Sequence, residues 1–165
     1  MVLEKLNQAR IIDLLGSIYE HSPWVAEILF SQGITSQDND VGFLAKRMKK
    51  IVDASSEEMK LSLLQAHPEL AGKLAISGNL TKDSTSEQAS AGLDQCSKEE
   101  FADFSKLNFE YTKKFGHPFI IAVRDLTRSE ILTSFKERIN NDSQKEFETA
   151  LTEVHKIALL RLKAL

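Results

Sequence analysis

The chain has 165 residues, of which 42% are hydrophobic and 27% charged, with a formal net charge of −3. That balance predicts a single globular domain, 1–165, able to build its own core without staples. It argues against a nucleic-acid footprint: the most basic run, "KRMKK" at 46–50, lies on an amphipathic stretch and reads as a solvated helix face. The single cysteine, Cys96, rules out an internal disulfide and any multi-cysteine metal site, and it fits a reducing compartment. The apolar runs are too short to span a bilayer, and "MVLEKLNQAR" lacks the apolar centre of a signal peptide, so the expected location is the cytoplasm, with no membrane partner.

Apolar residues recur at spacings of three and four, and Gly and Pro are few, which predicts an all-α chain. The predicted helices, in order, are 5–20, 23–32, 40–54, 56–66, 84–96, 98–115, 128–140 and 143–164, a bundle of about eight. Capping-box spacing recurs at Ser55/Glu58, Ser84/Glu87, Ser97/Glu100 and Thr127/Glu130. Phe101, Phe104, Tyr111 and Phe115 form an apolar stripe ended by Gly116, and Phe147, Leu151, Val154, Ala158 and Leu162 form another; both are read as core.

Two stretches do not fit a simple bundle. Residues 67–83, "HPELAGKLAISGNLTKD", form a connection longer than most, and long ordered loops often carry function. Residues 118–123, within "HPFIIAV", are too short and too β-branched for a helix. An extended segment in a helical protein leaves backbone N–H and C=O groups for a neighbour or for a polar ligand.

Four groups of side chains could do chemistry. His67 precedes Pro68 at a predicted helix end, with Glu69 and Lys73 close behind; proline stiffens that junction, and imidazole titrates near neutral pH. Ser84, Glu87, Gln88 and Ala91 share one helix face, polar but closely packed, which suits either a ligand surface or a simple cap. A carboxylate such as Glu87 near His67 would fix its tautomer and favour its protonated form. His117 repeats the His-Pro pattern, but no pair of histidines has the spacing of a familiar zinc motif, so no metal is expected. His21 and His155 are read as helix-surface residues. Arg161, at the edge of the last apolar stripe, needs an anionic partner or a wet tip, and a substrate carboxylate would also serve.

"HPELAGK" at 67–73, "STSEQASAGL" at 84–93 and "YTKKFGHPFIIAVR" at 111–124 resemble, in order and spacing, the signatures of OHCU decarboxylases. OHCU is 2-oxo-4-hydroxy-4-carboxy-5-ureidoimidazoline, an intermediate of urate breakdown. The resemblance covers nearly the whole chain and is closest to bacterial members that can be fused to a uricase domain. It implies an all-α, cofactor-free homodimer that converts OHCU to (S)-allantoin and CO2. It makes His67 the catalytic acid/base and Glu87 its partner. It places Pro68, Ser84, Thr85, Ser86, Glu87 and Gln88 at the substrate, with the backbone of Phe119, Ile120, Ile121, Ala122 and Val123 gripping the ring and ureide amides. Arg161 would take the substrate carboxylate. Position 117 is commonly aromatic in such enzymes and is His117 here. Read without the resemblance, the residues also allow a non-catalytic interaction module, a related fold acting on another ureide or hydantoin, or, least favoured, a metallohydrolase.

Overall fold

The computed structural model describes residues 2–72 and 78–165. The predicted position of Lys73, and the part of the 67–83 connection between Gly72 and Gly78, lie outside the described residues. Among the described residues the chain is helical with no strand: α1 Gln8–Leu15, α2 Trp24–Ser31, α3 Val41–Asp53, α4 Glu57–Gln65, α5 Lys82–Ser90, α6 Lys98–Phe115, α7 Arg128–Arg138 and α8 Ser143–Lys163, with short 3₁₀ turns before α1, before α3 and after α5. The chain forms two compact units, 1–66 with 155–165, and 67–154. None of these helices is long and apolar enough to cross a membrane.

In the first unit α1 packs on α2 and α2 on α3. Asn7 caps α1 by accepting from Arg10 N–H, Asp40 caps α3 through Phe43 N–H, and Ser56, rather than the predicted Ser55, caps α4 through Met59 N–H. The predicted helix 5–20 is shorter than expected: α1 stops at Leu15, and residues 16–22 turn, with His21 exposed in the left-handed region at φ 48°. His21 is therefore a turn residue, not a helix-surface one.

That turn is fastened to the end of α8 by two polar links. Arg161, itself buried, pairs with the buried Glu20 at 2.7 Å and donates to Ser17 C=O at 3.1 Å. His155, read from the sequence as a helix-surface residue, lies on α8 half-buried. Its Nδ1 lies 2.9 Å from the buried Tyr19 hydroxyl and its Nε2 3.1 Å from Asp53, which also pairs with Lys49 on α3.

Burial pushes the His155 imidazole below its ordinary 6.5, against the pull of Asp53. For Asp53, burial acts upward, but hydrogen bonds from Lys49 and His155 outweigh it and hold the carboxyl low. Both groups bind protons less readily in the folded state than in the unfolded one. Their stabilisation is therefore present above the unfolded values and is lost as pH falls through the folded ones. We expect urea midpoints to fall between pH 7.5 and 5.5, and His155→Gln to flatten that fall. His117, also lowered by burial, supplies the residual slope. A midpoint that rises on acidification would refute this assignment.

The second unit has one core. Leu70, Ala71, Ala91, Leu93, Phe104, Leu107, Tyr111, Phe119, Val123, Ile131 and Phe135 form a continuous buried cluster. The Phe119 and Phe135 rings stack at 3.9 Å, and Tyr111 meets both edge-on. Helix α6 begins with the predicted capping box, Ser97 with Glu100, and ends at Gly116 in the left-handed conformation at φ 78°. Thr127 caps α7 as expected. The buried positions of α6 are Phe104, Leu107, Asn108 and Tyr111; Phe101, predicted as core, is 37% exposed.

Candidate active site

Three segments singled out in the sequence meet around this core. The first is the turn after α4. His67 is buried and Pro68 half-buried, and the next residues carry Leu70 and Ala71 into the core cluster. Ala71 has φ 50°, a region that a residue with a Cβ enters only at a cost.

The second is the polar face of α5. Here the structure departs from the expected cap. The N-cap is Thr81, whose hydroxyl accepts from Ser84 N–H, so the helix starts at Lys82, not at Ser84. Ser84 is released from capping and is buried together with Gln88. The simple-cap reading of Ser84 and Glu87 therefore does not hold for Ser84. Glu87 is half-buried on the same face, and its C=O accepts from Ser90. Thr85 and Ser86 are exposed, with the Thr85 hydroxyl donating to Thr81 C=O. The helix also ends earlier than predicted, at Ser90, with Gly92 in the left-handed conformation before the 3₁₀ turn Leu93–Gln95.

Gln88 joins these two segments. Its Oε1 accepts from Ala71 N–H at 3.0 Å and its Nε2 donates to Glu69 C=O at 3.2 Å. From α6, Asn108 Nδ2 donates to Leu70 C=O at 3.0 Å. The turn that carries His67 is thus held by two helices.

The third is residues 118–123, which lie outside any helix, as predicted. Their anchor is a buried charge network. Arg138 on α7 donates to Ile120 C=O at 2.7 Å and places its guanidinium 4.3 Å over the Phe119 ring. It also pairs with the fully buried Glu146 on α8, through Nε at 2.7 Å and Nη2 at 2.6 Å. Tyr111 donates to the same Glu146 oxygen at 2.8 Å, and burial pushes its phenol far above the ordinary value. Glu153 accepts from Ala122 N–H at 2.9 Å. The N–H and C=O of Ile121 and the C=O of Ala122 make no hydrogen bond among the described residues. These are the backbone groups through which the segment can meet a polar ring.

His117 is buried, with Nδ1 3.0 Å from Pro118 C=O and its ring against Tyr111, Phe115 and Phe147. It fills an aromatic position in the packing. Arg161 belongs to the first unit. Among the described residues, no three His, Cys, Asp or Glu side chains are grouped as metal ligands would be.

Sequence reasoning missed Asn108, Arg138 and Glu146. A signal existed for the first: Asn108 is a polar residue on the stripe Phe104, Leu107, Tyr111, and an amide there needs an inward partner. Arg138 and Glu146 gave none, because an Arg and a Glu eight positions apart in two separate helices look like ordinary surface charge.

Comparison with known proteins gives this arrangement its context. The family model described as OHCU decarboxylase matches residues 4–163. The chain belongs to the OHCU decarboxylase family. A 2-oxo-4-hydroxy-4-carboxy-5-ureidoimidazoline decarboxylase of Halalkalicoccus jeotgali is 41% identical over 169 residues, covering 100% of this chain and 92% of that protein. A uric acid degradation bifunctional protein of Bacillus sp. (strain TB-90) is 38% identical, covering 98% of this chain but only 31% of its own length. Among solved structures, an (S)-allantoin synthase superposes with a TM-score of 0.76 at 35% identity, covering 98% of this chain and 52% of that one. The three motifs that define the OHCU decarboxylase resemblance are the three segments gathered around the core of the second unit.

Proposed function

We propose that this chain is a carboxy-lyase converting OHCU to (S)-allantoin and CO2 in urate catabolism. The observation that carries the reading is the match over residues 4–163, with a decarboxylase 41% identical across the full chain. The geometry of the second unit supports it, because the fold brings the His67 turn, the α5 face and the 118–123 segment to one core.

The reaction can proceed without a cofactor. When the ring carbon loses CO2, the electron pair left behind flows into the adjacent C=N of the substrate, which is its own electron sink. The protein must hold the carboxylate out of the conjugated plane, stabilise developing charge and deliver a proton to one face. His67, tuned by Glu87, hydrogen-bonds the substrate hydroxyl and handles that proton. Its placement on one side of the ring sets the hand of the product. Ser84 and Gln88 bind the ureido and ring polar groups, with Pro68 against the ring and Thr85 and Ser86 at the outer edge of the same turn. Gln88 has the capacity to bind substrate while it holds the turn. An amide offers two N–H donors and two lone pairs, and the backbone of Glu69 and Ala71 uses one of each. Ile121 and Ala122 offer the ring amides an N–H and two carbonyls. Arg161, paired with Glu20 in the first unit, is left out of this assignment. The enzyme works as a cytoplasmic homodimer, free or joined to a uricase domain as the bifunctional relatives suggest.

The test is circular dichroism of allantoin formation, with OHCU generated in place by uricase and the preceding hydrolase. A protein-dependent signal of one hand supports the assignment. A trace that stays flat while OHCU decays spontaneously to racemic product overturns it, and another ureide or hydantoin becomes the substrate to seek.

A further inference from the structure

We propose that Asn108 is a positioning residue for His67, acting through the peptide group between Leu70 and Ala71; the proposal rests on the decarboxylase reading above. Both ends of that one peptide are held, each from a different helix. Asn108 on α6 donates to its C=O at 3.0 Å, and Gln88 on α5 accepts from its N–H at 3.0 Å. A second bond from Gln88, to Glu69 C=O, fixes the preceding peptide.

Three features separate this clip from ordinary packing. First, Asn108 is only 3% exposed, and its Oδ1 has no hydrogen-bond partner among the described residues. The carbonyl of Leu70 can only accept, so it fixes which way the amide faces and leaves Oδ1 buried. An apolar side chain on the stripe of Phe104, Leu107 and Tyr111 would avoid that orphan but leave the Leu70 carbonyl unpaired, so the asparagine adds little net stability and its hold on the turn is what distinguishes it. Second, Ala71 sits at φ 50°. Left-handed backbone at a residue with a Cβ persists where its surroundings over-determine it, and the clip does so here. Third, His67 lies three residues before Leu70, across Pro68, whose ring locks its own φ. Little freedom is left between the clamped peptide and the imidazole.

The experiment compares wild type with Asn108→Leu. Leucine removes the orphaned acceptor while leaving the Leu70 carbonyl unpaired, so the melting temperature stays within about 3 °C. We expect kcat for (S)-allantoin to fall on the order of 10²-fold while KM stays within about twofold, the signature of a misplaced acid/base rather than of lost binding. We also expect the limb of the pH–rate profile that reports His67 to move, which a merely structural residue would not cause. Asn108→Ser, too short to reach Leu70, serves if the leucine variant folds poorly, and it carries the same expectation.

Two readouts need no activity: hydrogen exchange at the Ala71 amide, expected to speed at least about 10-fold, and titration of the His67 imidazole by NMR, expected to shift. Unchanged kcat, pH profile and Ala71 exchange in a folded variant overturn the proposal. A wild-type chain that forms no single-handed allantoin overturns the decarboxylase reading instead, and the exchange and titration still decide what Asn108 does.

Discussion

His67→Ala lowers the rate of (S)-allantoin formation by about 10²–10⁴-fold, the range a positioned acid/base contributes, and the product that still forms is racemic because it comes from spontaneous decay. The helices survive the change. His67 lies in the turn after α4, where no helical hydrogen-bond ladder depends on its side chain. Steady-state dichroism at the allantoin band gives rate and hand together, and far-ultraviolet dichroism checks the fold. Near-wild-type turnover with retained handedness would remove His67 from the chemistry and shift attention to Glu87.

The second large effect is structural. Arg138→Met removes the cation paired with Glu146, a carboxylate with no solvent exposure, and also removes the donor to Ile120 C=O. Breaking one side of a buried ion pair costs about 3–5 kcal/mol, because the remaining charge is left in a medium that cannot solvate it. For a chain of this size that lowers the melting temperature on the order of 10 °C. The double variant Arg138→Met/Glu146→Leu recovers most of the loss, since no lone charge then remains. Differential scanning calorimetry on the two variants decides the matter. Equal losses in both would mean that Tyr111 and the Ile120 carbonyl, rather than the charge on Glu146, dominate the network.

How far these arrangements could be read from the sequence depended on the range of the forces behind them. Helix periodicity and caps are local, so the eight helices among the described residues and the starts at Ser97 and Thr127 were legible. The choice between neighbouring caps was not. Thr81 and Ser84 are both good N-caps, and the decision fell to Thr81 with Ser84 buried in the same helix. The 118–123 segment was recognisable because too few residues separated Pro118 from Arg124 for a helix. Its anchor was not, because Arg138 and Glu146 meet only once two helices have packed. The same holds for Gln88 and Asn108, whose partners lie 17 to 38 positions away and are backbone atoms, which leave no trace in residue identity. The motif residues were legible as a family resemblance; how Gln88 ties two of those motifs together was not.

Helix α8 changes allegiance at residue 155: its first part belongs to the unit 67–154, and its last part to the unit that opens the chain. A chain emerging from the ribosome meets these two units differently. Residues 67–154 are contiguous and can collapse as soon as they are released. The unit built on residues 1–66 must wait, because Tyr19 and Glu20 find His155 and Arg161 only after all of 67–154 has been made. Until then the Glu20 carboxylate lacks the guanidinium that accompanies it into the interior. A product stalled before residue 155 is therefore a poor folder in residues 1–66 rather than in 67–154, and quality control that reads exposed apolar surface would find it there.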